Sequence, residues 1–307
     1  MRMASQFFMV AAALALSTAA FAAPGDRSTS SDGKRSPAPK VEGAVSVAPS
    51  LGTESAGSDE EVAPGGSPVS GLATVAYGAR GAEPESLIGW DSRIKIFPKT
   101  YPSRAIVYIE YNGSHLCTGY LYSPSMVATA GHCVHTGGSS GSYRNTSGYR
   151  VFPARNGNKI PYGSCGVTRL NSVIGWTQNN DPKFDYGAMR LNCTVGNTVG
   201  WFGLYTPEPL NMPAIVQGYP GDKPKEMWSS ADKIRAVSTE MIAYRADTVG
   251  GNSGSPVWHD RDEAQATTGA WAFGVHNYAV GVLGTNSNSA ARLTAVRIQN
   301  YVNWRDN

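Results

Sequence analysis

Gly250-Gly251-Asn252-Ser253-Gly254-Ser255-Pro256 is a glycine-rich turn around a serine, and it runs straight into the apolar pair Val257-Trp258. Glycine suits a loop whose backbone must take positive φ or let another group come close. A serine raised on such a loop can serve as a nucleophile, with nearby backbone N–H groups aimed at the oxygen that gains charge on attack. Taken alone, the heptapeptide reads equally well as a hairpin turn.

Two stretches upstream change that balance. Thr129-Ala130-Gly131-His132-Cys133, preceded by Cys117-Thr118-Gly119, offers an imidazole, whose reference pKa of about 6.5 suits it to take a hydroxyl proton near neutrality. Phe184-Asp185-Tyr186-Gly187-Ala188-Met189-Arg190-Leu191 sets an acid at the head of an apolar strand, where a carboxylate can hold the imidazole in one tautomer. Asp181 competes for that role, but Asp181-Pro182 reads as a turn. A metal site built on His132, Cys133 and His135 is the rival reading. With no further Cys/His pair at suitable spacing, neither a metal nor a cofactor is expected.

Around these motifs lie short alternating or compact apolar runs: Ala105–Tyr111, Gly119–Tyr122, Met126–Ala130, Tyr186–Leu191, Ala214–Tyr219, Ser255–Trp258 and Ala270–His276. Clusters of Gly, Asn, Ser and Pro separate them, which is an all-β pattern. Helical spacing is confined to a turn at Ala130–Val134 and to a C-terminal segment in which Ala291, Ala295, Ile298, Tyr301 and Val302 recur. Periodicity leaves barrel and sandwich open.

The chain begins with Arg2, an apolar run from Phe7 to Leu16, and small residues around Ala20-Phe21-Ala22. Residues 1–22 read as a secretory signal peptide cut after Ala22, and no later stretch nears the roughly 20 apolar residues of a membrane span. Export favours paired cysteines. Of the three ways to join four, the short loops Cys117/Cys133 and Cys165/Cys193 are expected. Residues 23–85 are rich in Ser, Gly, Pro and Ala and show no sustained period, so a disordered leader is expected there and a folded part over 86–307. That leader holds 5 of the chain's 26 basic residues and 9 of its 23 acidic ones, so residues 86–307 carry a larger positive excess than the formal +3 of the whole. The charges are scattered and match no nucleic-acid module, which fits a solvated surface.

Taken together, these motifs resemble the glutamyl endopeptidase branch of the chymotrypsin-like serine proteases, the staphylococcal V8-type enzymes and especially their Bacillus relatives. Gly218-Tyr219-Pro220-Gly221-Asp222-Lys223 and Gly274-Val275-His276-Asn277 belong to the same pattern, which spans roughly Ser86 to the C-terminal helix. The resemblance implies a double six-stranded β-barrel with a C-terminal α-helix, acting on protein or peptide substrates as a secreted monomer. It implies that Ser253 attacks, His132 carries the proton, Asp185 orients His132, and the N–H groups of Gly251 and Ser253 form the oxyanion hole. It further implies that His276, Thr248 and the freed amino group of Ser86 receive a glutamate side chain, and that the precursor is cut between Glu85 and Ser86.

One departure argues the other way. Asp247 lies six residues before Ser253, the offset at which trypsin-like enzymes place the acid that selects Arg or Lys. Cleavage after basic residues is therefore the alternative, and a non-catalytic binding homologue is the third.

Overall fold

β-Branched and aromatic residues alternating with small ones build strands after residue 100, and Gly and Asn between them turn the chain back. The computed structural model describes residues 20–21, 23–34, 36–41, 44–53, 86–261, 269–279, 281 and 283–307. Its strands are β1 (Ala20–Phe21), β2 (Ser28–Ser30), β3 (Lys40–Val41), β4 (Ile94–Ile96), β5 (Ile106–Tyr111), β6 (Ser114–Ser123), β7 (Met126–Thr129), β8 (Tyr149–Pro153) and β9 (Val167–Val173). They continue as β10 (Gly187–Leu191), β11 (Gly203–Leu204), β12 (Pro213–Gly218), β13 (Met227–Lys233), β14 (Ala236–Val237), β15 (Met241–Tyr244), β16 (Pro256–Arg261), β17 (Gly269–Tyr278) and β18 (Asn288–Arg292). The α-helices are α1 (Ile174–Thr177), α2 (Gly196–Val199) and α3 (Ala295–Asp306).

Two antiparallel sheets carry the molecule. The first runs β2-β9-β10-β7-β6-β5-β8, and the second β14-β15-β18-β17-β16-β12-β13-β4 with β11 beside β17. Without leader strand β2, the first keeps the six strands that the resemblance implies. Val151 in β8 and Cys165 ahead of β9 exchange both N–H···O bonds at 2.9 Å, which closes that sheet on itself. Tyr120, Tyr122 and Tyr186 of the first sheet's side meet Trp258, Ala272 and Val275 of the second in one buried cluster. Helix α3 completes it with Ile298, Tyr301 and Trp304, spaced three apart on one helix face. The helix starts at Ala295, capped by the Thr294 side chain, so Ala291 of the expected helical pattern is a strand residue in β18.

The two disulfides pair as the short loops suggested, Cys117 with Cys133 and Cys165 with Cys193. The first ties β6 to the turn Gly131–Cys133, and the second ties the approach to β9 to the segment after β10. Chain closure of this length is worth roughly 2–4 kcal/mol per bridge. Reduction should therefore lower the unfolding free energy by that amount for each bridge opened, read from urea titrations with and without a thiol.

The leader departs from expectation. Where it is described, up to residue 53, it is ordered against the rest: β2 pairs with β9, and residues around Val47 and Ser50 bridge to Leu204 and Trp201. Low hydrophobicity rules out a core of the segment's own, but a strand added to an existing sheet uses backbone bonds and borrows its neighbour's core. Residues 54–85, including Glu85, and all of residues 1–22 except Ala20–Phe21 lie outside the described residues.

Candidate active site

Backbone conformation explains the glycines around Ser253. Gly251 and Gly254 take φ of 104° and 90°, and a Cβ on Gly254 would overlap Thr118 O and Thr129 Oγ1. The same Cβ would stand 3.1 Å from Ala130 N, so the serine loop packs directly on the turn that carries His132. Thr118 clamps the loop from the first sheet. Its N–H donates to Ser253 O and its hydroxyl to Gly251 O, both at 2.9 Å, while Tyr219 N donates to that hydroxyl at 2.9 Å. Thr118 lies inside the Cys117-Thr118-Gly119 motif, but nothing in its spacing marks it as the bolt between the two sheets.

His132 sits on the turn Gly131–Cys133, and Asp185 holds it twice. Asp185 Oδ1 accepts from His132 N and Oδ2 bonds His132 Nδ1, each at 2.7 Å. Asp185 is fully buried at the entrance to β10, and Asn277 Nδ2 donates to its carbonyl at 3.2 Å. Gly131 has to be glycine, because a Cβ there would lie 2.8 Å from Asp185 Oδ1. With Nδ1 held by Asp185, a neutral ring carries its lone pair on Nε2. The competing Asp181 caps the turn Pro182–Phe184 through Lys183 N, as its Asp-Pro sequence suggested. Burial, and after it the charge of Asp185, push the Tyr278 hydroxyl far above its ordinary pKa, so it stays a protonated neighbour of that carboxylate.

His276 is buried in β17, one strand from the serine loop. Its N–H donates to Ser255 O at 2.9 Å and its carbonyl accepts from Gly254 N at 2.7 Å. Tyr244, which the sequence reading passed over, bonds His276 Nδ1 through its hydroxyl at 2.6 Å. Thr248 is buried, and its Oγ1 finds no hydrogen-bond partner among the described residues. Ser86 docks alongside: its N donates to Asn288 Oδ1 at 3.2 Å, and Asn288 Nδ2 donates back to Ser86 O at 2.8 Å.

Asp247 is directed into the chain's own segment 86–92. Its Oδ1 accepts from Ile88 N at 2.6 Å, and its Oδ2 accepts from Ser92 N at 2.8 Å and Ser92 Oγ at 2.6 Å. At 3% exposure it is a buried anchor for that segment.

His115 closes the back of the serine loop, where a Cβ on Gly251 would lie 2.6 Å from its Cε1. Its ring stacks on Tyr108 at 4.2 Å. Burial pulls its pKa down to about 4, opposed by a main-chain hydrogen bond with Cys117 and helped by the Arg155 charge. The folded pKa lies below the unfolded value of about 6.5, so the unfolded chain takes up the proton first. This contribution to stability is complete above pH 6.5 and fades as pH falls to about 4, at about 1.4 kcal/mol per pH unit. His115→Phe keeps a ring on Tyr108 without titrating. The unfolding free energy of wild type relative to the variant should drop by roughly 3 kcal/mol between pH 7 and 4. A difference independent of pH would refute the assignment.

Residues 96–305, more than half of the chain, match the Trypsin family. The chain belongs to the trypsin family. Among its relatives is the glutamyl endopeptidase of Bacillus licheniformis, 40% identical over 228 residues covering 72% of this chain and 70% of that one. An extracellular metalloprotease of Bacillus subtilis is 37% identical over 232 residues with the same two coverages. A solved Glu endopeptidase in complex with MPD superposes with a TM-score of 0.61 at 29% identity, covering 71% of this chain and 99% of that one. These likenesses place the chain in the glutamyl endopeptidase branch, with a chymotrypsin-like fold, and make it a serine endopeptidase.

The name of the Bacillus subtilis relative raises a metal centre, and the described residues do not fit one. Among the described residues, the His, Cys and acidic side chains close enough to share an ion are Cys117, His132 and Cys133. Their two sulfurs are joined to each other and offer no thiolate, and His132 Nδ1 is held by Asp185.

Proposed function

We propose that this protease is a secreted, glutamate-selective endopeptidase that acts through Ser253, His132 and Asp185. Ser253 Oγ attacks the peptide carbonyl while His132 Nε2 takes its proton, and the N–H groups of Gly251 and Ser253 receive the oxyanion. Collapse breaks the C–N bond, His132 returns the proton to the leaving amine, and water then releases the acyl group from Ser253 by the same route. Asp185 keeps the Nδ1 proton in place and stabilises the imidazolium.

The observation that carries the glutamate reading is the position of Asp247. With its oxygens on Ile88 and Ser92, the acid that would select Arg or Lys is taken up in holding the N-terminal segment. The groups assigned to a substrate side chain by the family resemblance are His276, Thr248 with its buried hydroxyl, and Ser86. A carboxylate there accepts from the Thr248 hydroxyl. Maturation between Glu85 and Ser86 frees an α-amino group beside Asn288, adding positive charge to the same pocket. The leader ahead of Ser86 is accordingly read as a propeptide, and residues 1–22 as the export signal. The relative from Bacillus subtilis is likewise named extracellular, and no helix among the described residues is long and apolar enough to cross a membrane.

A digest of a denatured unrelated protein, read by mass spectrometry, tests this reading. Cuts should follow Glu, with Asp next. A map dominated by Arg and Lys would overturn the pocket assignment and leave the serine chemistry standing.

A further inference from the structure

A propeptide that only postpones activity would need to touch little beyond the active site. The described leader instead lies against β9, α3 and β11. Asp26 is buried, and its Oδ1 accepts from Tyr186 Oη at 2.8 Å and Arg297 Nε at 3.3 Å. Arg297 is itself fully buried on α3, its guanidinium over the Tyr186 ring. Asp26 is its carboxylate partner among the described residues. Removing Asp26 would leave a buried cation without its counter-charge, which is far costlier than never having buried the pair.

Two further attachments do not depend on that pair. Strand β2 covers the outer side of β9 in register Ser28–Val173 to Ser30–Asn171, masking the part of that edge beyond the Val151–Cys165 bridge. Farther on, Val47 and Leu204 exchange both backbone bonds at 2.8 and 2.9 Å, and Val47 enters the buried cluster shared by the two sheets. None of these contacts is made to Ser253, His132, Thr248 or His276, so the segment can stay in place without obstructing the proposed chemistry.

We propose that residues 23–53 remain bound after the precursor is cut and form a non-covalent light chain of the mature enzyme. The docking surface is the edge of β9, the buried face of α3 around Arg297, and the strand β11, and its occupant is this chain's own leader. The idea rests on the reading that the precursor is cut ahead of Ser86, so the experiment supplies a cut of its own. A recognition site for an unrelated protease is inserted between residues 60 and 80 of the full chain, the chain is cut there, and the product is analysed by native mass spectrometry and gel filtration.

Both pieces should travel together at one to one and separate only in denaturant. An Asp26→Ala precursor cut in the same way should hold its light chain about a hundredfold or more less tightly. Should that variant fold poorly, Asp26→Asn, which keeps an acceptor for Tyr186 and loses the charge, should show the same loss in smaller measure. Release of the light chain from the wild type, leaving a heavy chain of unchanged thermal midpoint, would overturn the proposal. N-terminal sequencing of naturally processed material is scored separately. A heavy chain that starts elsewhere than Ser86 sinks the maturation site and leaves retention to be decided by the engineered cut.

Discussion

Asp185→Asn should lower kcat by about four orders of magnitude while leaving the fold intact. In the wild type the carboxylate accepts from both His132 N and His132 Nδ1 at 2.7 Å. The amide can keep the first bond through its oxygen, but it then turns its NH2 towards Nδ1. That donor forces the ring proton onto Nε2, where it blocks uptake of the serine proton. Ser253→Ala should cost still more, about 10⁶-fold, since the nucleophile itself is gone. Its effect on folding should be small, because Ser253 is tied in by its carbonyl bond from Thr118 N, which alanine keeps. Turnover of a chromogenic Glu peptide, alongside urea unfolding of the same preparations, measures both effects. Near-normal turnover by either variant would refute the assignment of the three residues.

A Glu85→Gln precursor should remain uncut and should hydrolyse Glu substrates at least about a hundredfold less efficiently than processed enzyme. Segment 86–92 is already seated in the precursor, with Ser86 on Asn288 and with Ile88 and Ser92 on Asp247. The cut therefore changes charge more than shape. An amide nitrogen of Ser86 carries none, whereas a free α-amino group has a reference pKa of about 7.7–8.0 and is largely protonated at pH 7. Since Asp185 already holds His132, the uncut precursor should still react with an organophosphorus fluoridate at Ser253. Slow peptide cleavage together with normal labelling would locate the defect in the pocket. Processing at Ser86 with normal yield would remove the self-cutting idea, and full activity of uncut precursor would remove the role of the amino group.

Much of this was legible in the chain because the chemistry is written locally. The glycines around Ser253, the His132-Cys133 pair and the Asp185 strand head each announce their geometry within a few residues. The apolar runs from Ala105 to His276 and the helical spacing after Ala295 do the same for the sheets and α3. Strand β9 escaped notice because Thr168, Arg169, Asn171 and Ser172 break its alternation, although all but Thr168 of these are buried. Two of these side chains meet partners elsewhere in the chain, Ser172 Oγ donating to Tyr186 O and Arg169 Nε to Asp32, while the Asn171 amide finds none among the described residues.

The sequence by itself therefore determined the reaction class, the all-β architecture and both disulfides, and it put forward the three residues proposed for the chemistry, since each of these readings depends on neighbours along the chain. It could not tell which way Asp247 points, what a leader without a hydrophobic core would dock on, or that Tyr244 would stand behind His276. Ile88 meets Asp247 across 159 residues and Asp26 meets Arg297 across 271. At such separations a carboxylate's role is set by which donors the completed sheets bring to it, and only the tertiary structure decides that.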